Sequence, residues 1–132
     1  MEIRLMHKND LEKARNLLHK VLGKECNKSY QNTPSNFIIV ADLDDEICGV
    51  ATVYIHNELT GEKDYFISNL CVDPNYQRMG IATSLVNYIE AKGKEDNIKY
   101  IYTLVPELCT TSKLYSKLNY ELKNINCYRK EL

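Results

Sequence analysis

The spacing of apolar residues along this chain switches between a period of two and a helical period, and each switch marks an element boundary. In residues 1–6, Ile3 and Leu5 alternate with Glu2 and Arg4, which predicts a half-buried strand. Asn9 reads as an N-cap with Glu12 completing a capping box. Leu11, Ala14, Leu17, Leu18, Val21 and Leu22 then draw a helical stripe that stops at Gly23. Residues 24–36 are polar and end in Thr33-Pro34-Ser35-Asn36, so they read as a loop with room for one helical turn. Residues 37–41 and 47–55 read as strands joined by an acidic turn, and residues 65–72 form the third strand of the meander. Ile81, Ala82, Leu85, Val86 and Ile89 restore helical spacing up to about Lys92, with Gly93 as the stop. Residues 99–105 predict a strand halted by Pro106. Thr110 or Thr111 caps a helix through Leu118, and Asn119 suits a left-handed position after it. Residues 120–123 and 127–131 predict a closing hairpin.

This order predicts an α/β (mixed α+β) fold: a central mixed sheet of about six or seven strands flanked by helices. No repeat or linker divides it, so residues 1–132 are expected to form a single domain. The final strand–helix–strand crossover is expected to be parallel and right-handed.

Charge adds mainly exclusions. With 17 basic and 18 acidic residues the net charge is −1, which offers no bulk attraction to nucleic acid or to a membrane surface. No apolar run is long enough to span a bilayer, and the charged start at Glu2 and Arg4 lacks a signal core, so a cytoplasmic protein is expected. The five cysteines (Cys26, Cys48, Cys71, Cys109 and Cys127) have neither disulfide-framework nor zinc spacing and read as small buried hydrophobes; no metal is expected. The acidic turn at 42–45 lacks the spacing of a calcium loop.

Chemistry concentrates at residues 66–90. An apolar strand runs into Asp73-Pro74-Asn75-Tyr76-Gln77-Arg78-Met79-Gly80, and a helix opens at Ile81. The first N–H groups of such a helix have no intrahelical partners and face outward at the positive end of the helix dipole, which suits an anion. The plain alternative is an ordinary helix start in which Gly80 serves packing alone.

Gln77-Arg78-Met79-Gly80-Ile81-Ala82 resembles the Q/R-x-x-G-x-G/A signature of the GNAT acyl-CoA N-acetyltransferase superfamily. Leu70-Cys71-Val72-Asp73-Pro74 before it and Leu114-Tyr115 after it extend the likeness, and the order of elements is also that of the family's fold. The resemblance implies that Gln77, Arg78, Met79, Gly80, Ile81, Ala82 and Thr83 hold the pyrophosphate of acetyl-CoA. It implies that backbone groups of Leu70, Cys71 and Val72 hold the pantetheine and polarise the thioester carbonyl. Residues 113–120 are similar to the family's second landmark, which makes Tyr115 the acid that protonates the departing thiolate. A phenol with a pKa of about 10 can donate to a thiolate whose conjugate acid has a pKa of about 8.5. Leu114 and Leu118 flank Tyr115 at helical spacing, so a core role is the alternative for it.

Two positions depart from the family. Many relatives carry a carboxylate general base on the strand before the phosphate turn, and residues 65–72 have none. Ser68 or Asn69 could only orient a water, His56 reads as a surface residue, and Glu58, Glu62 and Asp64 belong to a solvated turn. Leu108 stands where a pantetheine-binding Asn is common. The expected function is transfer of an acetyl group from acetyl-CoA to a primary amine by direct attack. The acceptor is expected to be a small molecule, or else a protein amine, and the enzyme a monomer or homodimer. The competing reading is a non-catalytic acyl-CoA-binding sensor or partner subunit, which the missing carboxylate favours and Tyr115 opposes.

Overall fold

The computed structural model describes residues 1–26, 29–105 and 110–132. Their elements run β1 (Glu2–Leu5), α1 (Leu11–Leu22), β2 (Asn36–Leu43), β3 (Glu46–Asn57), β4 (Lys63–Val72), α2 (Ile81–Glu95), β5 (Tyr100–Thr103) and α3 (Thr110–Lys117). Short 3-10 turns at Lys8–Asp10 and Pro74–Tyr76 lead into α1 and follow β4. The strands form one mixed sheet in sequence order. Neighbours are antiparallel except β4 and β5, which α2 connects in parallel as the crossover rule requires.

Alternation within β2 explains the layering. Phe37, Ile39 and Ala41 point to one face, where Ile81, Leu85, Val86 and Ile89 of α2 and Tyr115 of α3 cover them. Ile38 and Val40 point to the other, against Ala14 and Leu17 of α1. Each fully buried Leu or Ile here is worth about 1.5–3 kcal/mol relative to exposure, so both faces contribute to holding the sheet. Gly49 lets α2 approach closely: a Cβ there would lie 2.8 Å from Ile81 Cγ2 and 3.2 Å from Leu85 Cδ1.

Four expectations need correction. The sheet has five strands among the described residues, not six or seven. The closing hairpin is absent: residues 121–132 carry no regular structure and are exposed throughout, since alternation makes a strand only where an edge is there to pair with it. Helix α2 runs through Gly93, which sits against the Tyr65 ring, and ends at Asp96, followed by Asn97 in the left-handed region at φ 58°. The start of α1 is built on the preceding 3-10 turn rather than on Asn9: the His7 backbone N–H donates to Asp10 Oδ2 at 2.7 Å. Gly23 does end α1 in the left-handed conformation, and Asn119 at φ 66° follows α3 as its type allows. No described helix is long and apolar enough to cross a membrane.

Candidate active site

The irregularity in β4 creates the site. Thr52 pairs with Asn69 and the next residue, Val53, pairs with Ile67, so Ser68 is an extra residue bulged out of the ladder. The sequence contains the reason. Ile67 and Leu70 both pack toward α2, three positions apart, which a regular strand cannot arrange. The bulge shifts the phase and leaves polar side chains between them. Thr52 Oγ1 and Ser68 Oγ lie 2.6 Å apart, and the Asn69 amide donates to Thr52 Oγ1 at 3.0 Å and to Ser68 Oγ at 3.3 Å.

The same point is where β5 departs. Pairing between β4 and β5 ends at Ile67 with Thr103, whereas β4 continues to Val72. From residue 68 onward, the β5-facing backbone of β4 has no strand beside it among the described residues. A groove of about 70 Å³ occupies this split, lined by Ser68, Asn69, Leu70, Leu104, Val105 and Tyr115 among others. Asn69 also borders a second cavity of about 240 Å³ on the opposite face, between α1 and the sheet. The two concavities therefore meet at the bulge.

Tyr115 lines the groove from α3 while being only 6% exposed. Burial raises its phenol pKa above the usual value, opposed in part by a hydrogen bond with the Thr103 hydroxyl, so the phenol keeps its proton at neutral pH. Its ring meets Tyr120 edge to face at a centroid distance of 5.2 Å, and the Tyr120 hydroxyl donates to Glu90 Oε2 on α2 at 3.0 Å. Tyr120 thus fixes the tyrosine against α2.

Beyond Val72 the chain makes the turn into α2. Asp73 anchors it: its carboxylate accepts from the Asn75 N–H at 2.9 Å and pairs with Lys20 of α1 at 3.0 Å. These bonds, the backbone one foremost, hold its pKa below the usual carboxylate value. Gln77, Arg78, Met79 and Gly80 are exposed. Arg78 and Gly80 adopt left-handed backbone, at φ 65° and 74°. A Cβ on Gly80 would meet nothing within 4 Å, so its glycine is required by the backbone and by open approach rather than by packing. The first turn of α2, with Ile81 buried and Ala82 and Thr83 half-buried, contains no acidic residue to occupy its N–H groups.

The structure brings Leu70 and Tyr115 to the groove. It places Gln77, Arg78, Met79, Gly80, Ile81, Ala82 and Thr83 together at the opening of α2, one turn beyond the same strand. Cys71 and Val72 lie between these groups. The Cys71 thiol is buried, which raises its pKa and makes it a poor nucleophile. His56, Glu58 and Asp64 cluster at the other end of the β3–β4 hairpin, with candidate ligand atoms within 4.8 Å of one another. His56 sits 3.4 Å from Glu58, and Asp64 is buried with one oxygen lacking a partner. Asp64 precedes Asn69 by five strand residues, about 17 Å along β4, too far for a base acting at the bulge. Leu108 lies outside the described residues. Thr52 and Thr103 were missed in the sequence because nothing in their local spacing marks them, and Tyr120, the last residue of the 113–120 landmark, was given no role there. The one readable signal was the phase break between Ile67 and Leu70.

The site thus combines a split parallel strand pair, a bulge and an open glycine turn into a helix. The model of the acetyltransferase (GNAT) family matches residues 6–120, and the chain belongs to that family. Among solved structures it resembles a ribosomal-protein-alanine N-acetyltransferase from Brucella melitensis biovar Abortus 2308, with a TM-score of 0.87 and 19% identity over 99% of this chain and 98% of that one. It also resembles aminoglycoside N-acetyltransferase AAC(6')-Iy in complex with CoA (TM-score 0.84, 19% identity, 99% and 95% covered). A third similar structure is the aminoglycoside acetyltransferase meta-AAC0020 from an uncultured soil metagenomic sample, in complex with sisomicin (TM-score 0.81, 19% identity, 99% and 96% covered). No curated protein matches this chain.

Proposed function

We propose that this protein transfers an acetyl group from acetyl-CoA to a small primary amine by direct attack. One observation carries the reading: the unpaired edge of β4 beyond Ile67 leads continuously into the exposed turn at Gln77–Gly80. A long ligand with a polar arm at one end and an anionic group further on fits such a path. Backbone groups of Leu70, Cys71 and Val72 would bind the pantetheine arm and hold the carbonyl oxygen. The N–H groups of residues 78–83 would take the pyrophosphate, each helix-terminal contact contributing about 0.3–1 kcal/mol, with Gln77 shaping the entry and the Arg78 guanidinium adding charge. The attacking amine approaches the bulge from the cavity side. Its proton leaves through the Thr52–Ser68–Asn69 cluster, which can hold a water. Tyr115 gives its proton to the sulfur as the carbon–sulfur bond breaks, and free CoA departs as the thiol.

The test is release of free CoA from acetyl-CoA on addition of amines, compared between the wild-type protein and Tyr115→Phe. We expect turnover in the wild type and a kcat about 10²–10⁴-fold lower in the variant. A second reading, an acyl-CoA-binding module without catalysis, is favoured by the absence of Asp, Glu or His among the described residues lining either concavity. Tight acetyl-CoA binding with no CoA release across a broad amine panel would establish that reading instead.

A further inference from the structure

The cavity between α1 and the sheet has a chemistry that selects among amines. Its walls are largely apolar, with Met6, Leu11, Leu18, Ile38 and Val50 among the lining residues. None of the lining residues is Asp or Glu. The adjoining segment, residues 24–36, contains a single acid, Glu25, whose side chain is 86% exposed and sits beside His19 rather than in the cavity. Glu12 of α1 is exposed as well. A cationic head entering here meets no compensating charge, and a second or third ammonium group would be desolvated without a partner.

The polar groups present favour the opposite sign. Arg15 lines the cavity, and its Nε donates to the Cys26 carbonyl at 3.2 Å. Among the described residues its two terminal amino groups have no partner, which leaves the guanidinium fork directed by one bond and open to a carboxylate. The Tyr30 and Tyr54 hydroxyls bond to each other at 2.9 Å. At the inner boundary, Asn69 and Thr52 link the cavity to the bulge. The volume of about 240 Å³ lies below the range of about 300–1,000 Å³ usual for drug-sized ligands.

Resting on the transferase reading above, we infer that this cavity takes the acceptor, and that the acceptor is a compact monoamine with an apolar body and a carboxylate, of the size and chemistry of an apolar amino acid. The apolar body packs on Met6, Leu11, Ile38 and Val50. The carboxylate meets Arg15, and the amine reaches the bulge at Asn69.

The experiment measures CoA release at saturating acetyl-CoA with L-phenylalanine, phenethylamine, spermidine and kanamycin. We expect kcat/KM for L-phenylalanine to exceed that for spermidine and kanamycin by about 100-fold or more, in line with an uncompensated buried charge. In Arg15→Gln, the ratio of the KM for L-phenylalanine to the KM for phenethylamine should rise about tenfold, the loss of one charge-assisted contact. Acetyl-CoA affinity serves as the check that the variant is folded. Preference for spermidine or kanamycin, or an Arg15→Gln ratio equal to that of the wild type, would overturn the acceptor assignment while leaving the transferase reading standing. Acetyl-CoA binding with no release for any of the four amines would overturn the acceptor assignment alone, and the same result across a broad amine panel would remove the transferase reading as well.

Discussion

At the scale of single residues, three positions carry separable consequences. Gly80 holds a left-handed backbone in open space at the mouth of α2. A side chain there costs roughly 1–2 kcal/mol of backbone strain, and Gly80→Glu also sets negative charge where an anion would sit. The variant is expected to remain folded and to lose acetyl-CoA affinity. Tyr115 has two environments at once, a core contact with Tyr120 and a wall of the groove. Its Phe variant should therefore leave acetyl-CoA affinity near wild type while kcat falls. Arg4 acts on stability. It bonds Asp10 through both terminal nitrogens, at 2.6 and 3.1 Å, and bonds Asp42 at 2.9 Å, tying β1, the start of α1 and β2 together. The Arg4 side chain is 17% exposed. The guanidinium, more than the His7 N–H, holds the Asp10 pKa below its usual value. A carboxylate with a lowered folded pKa stabilises the fold above its unfolded pKa, and that contribution disappears as pH falls through the folded value. Arg4→Met should cost about 1–3 kcal/mol in urea unfolding at pH 7, and the difference from wild type should shrink steadily below about pH 4. A pH-independent difference would assign the effect to packing by the arginine stem instead.

At the scale of elements, the β4 bulge and the seating of α2 decide whether there is a site. Gly49→Ala drives a methyl group to 2.8 Å from Ile81 Cγ2, a methyl on a β-branched side chain with little freedom to retreat. A stability loss of about 1–3 kcal/mol is expected. Because Ile81 is the first residue of α2, acetyl-CoA affinity should weaken in parallel; unchanged affinity would mean that the turn is seated independently of β3. These elements were legible in the sequence to different depths. The meander, α1 and the glycine turn into α2 were readable because apolar period and glycine position agree there. The bulge was hidden because Ser68 and Asn69 look like any polar pair, and only the spacing of Ile67 and Leu70 shows that the strand changes phase. Gly93 looked like a helix stop because glycine so often is one. It lies instead inside α2 beside the Tyr65 ring, a contact 28 residues away in the chain that local pattern does not encode, and even an added Cβ would meet that ring at an ordinary 3.4 Å. The predicted hairpin at the end of the chain failed for a related reason: β5 ends at Thr103, and no described strand pairs with residues 121–132.

At the scale of the whole molecule, a sheet covered by α1 on one face and by α2 and α3 on the other has a breach in its ladder among the described residues. It lies where β5 leaves β4, and the two concavities open from it on opposite faces. Such an arrangement lets two reactants approach one point from different sides without competing for space, which is how positioning alone lowers a bimolecular barrier. This breach was not read in the sequence; it comes from the register of β3, β4 and β5. Everything proposed about chemistry depends on the cosubstrate binding along that breach. The most direct test is calorimetric titration of the folded protein with acetyl-CoA, repeated with Gly80→Glu. We expect binding in the micromolar range or tighter in the wild type and none in the variant. No heat of binding from a folded wild-type protein would contradict the assignment, and the turn at Gly80 would then be a packed helix start and nothing more.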